Sequence, residues 1–285
     1  MRSIARPLLL GLAGLIMTCG ASVLLARGAT PDTITIRFAP LQVGDSIEER
    51  LDDVDRIDWR LPPEKLQRFA AAGVIINEER RSTVSASGRV VHAGANGSTV
   101  RVNVHVDELD VPRKTTSRAT TVADIKLSPS NEPITSGPLA LEDAATFELP
   151  FRPGSLAHVG QRWQTHVLVS TELGSGETTF DHEVFTIDGS RIGIRIHGRG
   201  KITGAQYHLP KLLPGTIDLD GAAWYDATTG FVAQGSYAIH NTLLKSPHGQ
   251  EMGFDERRSV DVTTWLARSA SRLVGSALQS RSGGT

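Results

Sequence analysis

Asn96-Gly97-Ser98-Thr99-Val100-Arg101-Val102-Asn103-Val104-His105-Val106 is the stretch that decides the fold. Val100, Val102, Val104 and Val106 fall on one side of an extended chain. Arg101, Asn103 and His105 fall on the other. An alternation of period two is the mark of a strand with one dry and one wet face. Asn96-Gly97 in front of it is the strongest hairpin signal in the chain, because a tight turn needs left-handed backbone. The preceding partner strand is expected over 78–91.

The same pattern recurs on both sides. Thr33 to Phe38 alternates and reads as a strand. Further strands are expected over 163–171, 178–187, 192–202, 217–225, 231–243 and 255–262. Ile192, Ile194 and Ile196 alternate with Gly193, Arg195 and His197. Asp226-Ala227-Thr228-Thr229-Gly230 joins two strands, with Asp226 closing an Asx-turn and Gly230 taking the left-handed conformation. Helix signals are few. Pro63 to Ala72 carries Pro at its first turn and Gly73 just past its end. Leu139 to Ala145 suits one helical turn. From Thr264 to Gln279, Leu266, Ala270, Leu273, Val274 and Ala277 fall on one face at helical spacing. The fold class is mainly β: a curved antiparallel sheet, sandwich or open barrel, with a short helix near 63–73 and a C-terminal helix. Both helices are candidate lids over an apolar ligand; the favoured reading is that they plug the open sheet end and complete the core.

Two stretches lack clear period. Asp45 to Trp59 is acid-rich, and Ile47, Leu51, Val54 and Trp59 are its candidate buried side. Residues 111–146 are irregular, broken by Pro112, Pro129, Pro133 and Pro138. The expected organisation is a leader over 1–28, a first β-rich half over 29–126, a linker over 127–147, a second half over 148–263 and the helix over 264–280. A hint of duplication supports it. Phe38-x-Pro40 followed by Val43-Gly44-Asp45 matches Phe151-x-Pro153 followed by Val159-Gly160-Gln161.

The leader sets the compartment. Arg2 and Arg6 precede an apolar run from Leu8 to Ala26, and Ala26-Arg27-Gly28 ends it with small residues. These are the parts of a secretory signal. Three fates fit: cleavage near Gly28 and Ala29, retention as an inner-membrane anchor with Arg2 and Arg6 cytoplasmic, or lipidation at Cys19. All three export the body, to the periplasm or another extracytoplasmic site. The membrane is touched only through this segment. Cys19 is the only cysteine, so the exported body folds without disulfides although its compartment would permit them.

The 285-residue chain has a net charge of -1. Without Arg2, Arg6 and Arg27 the body is acidic by roughly four charges. Lys and Arg are dispersed, so nucleic acid is not an expected partner.

Chemistry-bearing motifs are sparse. The nine histidines include no HExxH and no paired metal spacing. His105, His166, His182, His197 and His240 read as half-exposed strand residues. Asp53-x-Asp55-x-x-Asp58 lacks the loop glycine and closing glutamate of a calcium loop, and the carboxylates of 45–58 read as a solvated face. There is no Gly-x-Ser-x-Gly elbow, and Gly198-x-Gly200 lacks the setting of a phosphate loop. No catalytic residue, metal ligand or cofactor is assigned.

The openers Pro40-x-x-Val43-Gly44-Asp45 and Val159-Gly160-Gln161-x-Trp163, with the hairpin Trp224-Tyr225-Asp226-x-x-x-Gly230, resemble those of uncharacterised exported bacterial β-rich proteins. The layout is more distantly similar to the half-barrels of periplasmic lipoprotein carriers. That resemblance implies an open curved sheet and transfers no residue roles. The expected function is a non-catalytic envelope protein that binds an apolar small molecule or an envelope protein. Two alternatives stand beside it. Convergence of two or more of His166, His182, His197 and His240 on a carboxylate would mark a hydrolase. An exposed sheet edge would mark a structural scaffold.

Overall fold

The computed structural model describes residues 32–134, 139–146, 148–171, 174–204, 213–243 and 253–269. Cys19, Gly28 and Ala29 lie outside them. The protein is mainly β, as the alternation predicts. Ten antiparallel strands make one sheet that does not close into a barrel.

In chain order the elements are β1 (Thr33–Thr35), β2 (Ser46–Arg60), α1 (Pro63–Ala71), β3 (Asn77–Gly94), β4 (Gly97–Asp110), β5 (Thr115–Leu127), α2 (Leu141–Thr146), β6 (Leu156–His158), β7 (Arg162–Thr171), β8 (Gly174–Asp188), β9 (Arg191–Gly204), β10 (Leu213–Asp226), β11 (Phe231–Leu243) and β12 (Gly253–Ala267). The sheet runs β5-β4-β3-β2-β12-β11-β10-β9-β8-β7, while β1 and β6 form a separate pair. Two meanders therefore meet where β12 pairs with β2. That junction brings residues about two hundred positions apart into register, such as Val260 opposite Asp53.

The inner face holds the core. One cluster includes Phe180, Ile192, Ile194, Ile196, Leu219, Ile239 and Val260. The chain covers these strands with its own segments: Ile36 and Phe38 from one side, and Leu139, Ala144, Leu149 and Phe151 from the other. A smaller cluster at the start of the first meander joins Leu41, Ile47, Val90, Val100, Val102, Val104 and Phe231. The valines read from the sequence are thus where their alternation puts them.

The two openers adopt matching geometry. Gly44 and Gly160 both have left-handed backbone, φ 94° and 84°. Gly44 N–H donates to the carbonyl of Val90, and Val90 N–H donates to the carbonyl of Asp45. Gly160 N–H donates to the carbonyl of Val184, and Val184 N–H donates to the carbonyl of Gln161. Each valine sits at a bulge, Val90/His92 and Val184/Thr186.

Four expectations are corrected. The helix expected from Thr264 is strand as far as Ala267, because Thr264 and Leu266 pair with Glu49 and Ile47 of β2; residues 270–279 lie outside the described part. The Asn96 hairpin is present, but its turn residues are Ala95 and Asn96, and Gly97 carries the positive φ of 115°. The irregular stretch after Val111 contains an unbroken 13-residue strand, β5. And α1 buries none of its residues; its Phe69 is 38% exposed, so this helix does not plug the core.

Candidate functional site

The acid-rich segment is the central strand β2, and its inner face is not solvated. Residues 47, 49, 51, 53, 55 and 57 point inward as Ile, Glu, Leu, Asp, Asp and Ile. Glu49, Asp53 and Asp55 are buried. Buried charge needs partners. Asp53 accepts from Arg258 Nε at 2.9 Å and Ser82 Oγ at 3.3 Å. Arg258, Asp55, Arg80 and Asp110 are direct cross-strand neighbours on β12, β2, β3 and β4. Asn241 donates to the buried Glu256 at 2.7 Å. This alternating ionic stripe straddles the seam between the meanders. A one-residue slip of β12 on β2 would turn Arg258 outward and move Val260 and Val262 out of the core. The stripe reads as a register device rather than an open acidic site.

Asp45 is the best-held carboxylate. It is fully buried and accepts from Ser269 N–H at 2.8 Å, Gln42 N–H at 3.0 Å and Arg268 Nη1 at 2.8 Å. Arg268 also donates to the carbonyls of Ala39 and Pro40. Burial pushes the Asp45 pKa up, but these donors more than offset that and hold it below 3.8. The cluster ties the chain beyond β12 to the first opener.

The four histidines do not converge. His166, His197 and His240 lie on the outer face. His166 bonds Thr179 at 2.9 Å, His197 bonds Asp220 at 2.6 Å and His240 bonds Asp255 at 3.1 Å. They stand on β7, β9 and β11, so with strands ~4.8 Å apart neighbouring members are separated by roughly 10 Å. His182 is on the opposite face and is not half-exposed as the sequence suggests. It is 2% exposed, stacks on Trp163 with centroids 4.8 Å apart, and places Nε2 3.0 Å from the carbonyl of Ala145. Burial lowers its pKa. No group of three metal-ligating side chains occurs among the described residues.

What remains uncommitted is an edge. β5 ends the sheet, and among the described residues its outer side carries no strand. All eight residues from Thr115 to Val122 are exposed, on both faces of the strand. Its inner-face residues Ser117, Ala119 and Thr121 oppose Glu108, Val106 and Val104 of β4 without a covering layer. Its outer face is charged. Arg101 grips Asp124 with two bonds at 2.8 and 2.9 Å, which holds the Asp124 pKa down. Arg118 donates to Asp107 at 2.6 Å, and His105 bridges Asp107 and Thr120. Val122 is 59% exposed between these pairs. The register of β5 on β4 is uninterrupted over 13 pairs, and β5 contains no proline.

Edge strands are ordinarily shielded by proline, bulges, shortness or a covering segment. The other edge, β7, has such a cover. Leu139 N–H donates to the carbonyl of Leu168 at 2.9 Å, and Ser170 N–H donates to the carbonyl of Leu139 at 2.7 Å, with α2 packed against the same strand. On β5 the chain covers only the last two residues: Pro133 bridges Leu127, and Ile134 N–H donates to the carbonyl of Lys126 at 2.8 Å; among the described residues the edge from Thr115 to Ile125 has no such cover. That open length exposes a row of backbone donors and acceptors ready for another strand.

No protein-family model and no curated protein matches the chain. Among solved structures it is similar to the type II secretion system secretin GspD of E. coli K12, at 10% identity over 84% of this chain and 52% of that one, with a TM-score of 0.17. It is also similar to the ETEC pilotin–secretin AspS–GspD complex, at 11% identity over 84% and 53%, TM-score 0.18. A third is the InvG secretin domain β-barrel from the Salmonella SPI-1 injectisome, at 9% identity over 85% and 70%, TM-score 0.16. The chain spans about half the length of the first two. Superpositions this loose share strand content and carry no argument about activity. The lipoprotein-carrier layout finds no support among them.

Proposed function

We propose that this is an exported, non-catalytic binding protein of the bacterial cell envelope whose partner is another polypeptide, taken up along β5. The observation that carries the reading is the open edge of β5 over residues 115–125, exposed on both faces from Thr115 to Val122. The leader supports export. Between the two expected kinds of partner, an apolar small molecule is disfavoured, because the inner face of β8 to β11 is filled by the chain's own Phe38, Leu149 and Phe151. A strand added to β5 gains backbone hydrogen bonds along its length, with side chains at alternate positions setting specificity.

A photoreactive side chain in place of Val122 tests this in cells that export the full chain. An adduct to a polypeptide is expected on illumination. The same side chain in place of Ser87, mid-sheet on the outer face, is the control and is expected to give none. Absence of an adduct at position 122 would overturn the reading.

A further inference from the structure

We infer that the strand β5 receives is β5 of a second copy of this chain, paired antiparallel about a two-fold axis at Thr121. This rests on the proposal that β5 is a polypeptide-binding edge.

The register follows from the sequence of the strand. β5 runs from Thr115 to Leu127, so Thr121 is its midpoint. Lys126 and Leu127 are already held by Ile134 and Pro133, so pairing about that point uses residues 117–125 and opposes Ser117 to Ile125. It also sets Arg118 opposite Asp124 of the second copy, twice by symmetry. Both side chains are on the outer face, since their β4 partners Asp107 and Arg101 are. The ion pairs already present would join into a continuous row: Asp107, Arg118, then Asp124 and Arg101 of the second copy. Such alternation is favourable across strands, whereas like charges directly opposite are unfavourable. Neighbouring same-face registers lose this. A shift one way sets Arg118 against Val122. A shift the other way sets it against Lys126. Between the copies, Val122 gains Thr120 as its neighbour, and Ala119 gains Ala123.

Closure favours a pair over a fibre. Head-to-tail growth would require β5 to dock on β7, and Leu139 already occupies Leu168 to Ser170 there. A two-fold β5 contact consumes the open β5 edge of both copies at once.

The test is the mass of the exported full chain by light scattering, with two single-cysteine variants in a Cys19→Ser background. A dimer is expected. Thr121→Cys is expected to form a disulfide-linked dimer under mild oxidant, because only position 121 faces itself. Ser117→Cys faces Ile125 and is expected to stay unlinked. A monomer at every concentration, with Thr121→Cys unlinked, would overturn the inference. So would a dimer linked through Ser117→Cys but not through Thr121→Cys. If the protein is monomeric yet the Val122 probe captures a different polypeptide, the second copy is ruled out while edge binding stands. If the probe captures nothing, both fall.

Discussion

Asp45 shows how one carboxylate can hold two distant parts of the chain. Its oxygens take every bond from residues either three positions away or more than two hundred away. Hydrogen bonds to a charged group contribute about 1.5–3 kcal/mol, and stranding the partner costs more. Asp45→Asn is therefore expected to lower stability by ~2–3 kcal/mol at pH 7, since Arg268 loses its counter-charge while the packing stays. The pH dependence has a definite sign. The folded pKa lies below 3.8, so the stabilisation is complete above the unfolded value and is lost as the pH falls through the folded one. Urea titrations from pH 6 downward should show a shallower acid limb in Asp45→Asn than in the wild type. Parallel limbs would show that the clasp does not carry this charge linkage. The clasp is partly legible in the sequence. Val43-Gly44-Asp45 stands out as an opener, but Arg268 falls in a stretch whose spacing suggests a helix.

At the scale of elements, the glycines at the turns separate backbone cost from steric cost. Gly160 has a left-handed φ of 84°, and a Cβ there would meet nothing within 4 Å. Gly160→Ala is expected to cost ~1–2 kcal/mol, the price of that conformation for an L-residue. Gly44 has the same backbone need, and its Cβ would stand 3.3 Å from Ser269 Cβ. Gly230 has φ 80°, and its Cβ would lie 2.6 Å from Phe38 Cγ and 2.8 Å from Asn131 Nδ2. Gly230→Ala adds overpacking of ~1–3 kcal/mol to the backbone term. Denaturation midpoints should fall in the order Gly160→Ala, Gly44→Ala, Gly230→Ala, with the last lowest. Equal midpoints would contradict the packing of Phe38 over the hairpin.

Strands are legible where one face is dry and the other wet. β4, β9 and β11 alternate, and the pattern alone predicts them. β11 falls at its expected bounds. β5 escapes because neither face is buried over 115–122, so Thr, Ser, Ala and Arg follow one another without a period. β2 escapes for the opposite reason. Its inward positions mix Ile and Leu with Glu and Asp, and the carboxylates mask the apolar alternation. His182 looks half-exposed in the sequence because its neighbours Asp181 and Glu183 make its setting polar, whereas period two puts it on the face of Phe180 and Val184. The candidate site is thus the part of the fold least visible in the sequence: a strand that finishes a sheet on one side only.

At the scale of the whole molecule, the two meanders differ in how they are finished. The β7 to β11 side is covered by the chain's own segments, and its edge is occupied by Leu139. The β2 to β5 side ends, among the described residues, in an edge that the chain holds only at Lys126 and Leu127 and otherwise leaves open. On the proposal above, the sheet is completed by a strand paired with β5. Amide hydrogen exchange on the protein as isolated from its own envelope tests this most directly. In a bare edge strand, alternate amides of β5 face solvent and exchange as in an open chain, while those facing β4 are protected. With a second strand in place, protection is expected at both sets between Ser117 and Ile125, comparable with β4. Fast exchange at every second amide along that stretch would contradict it.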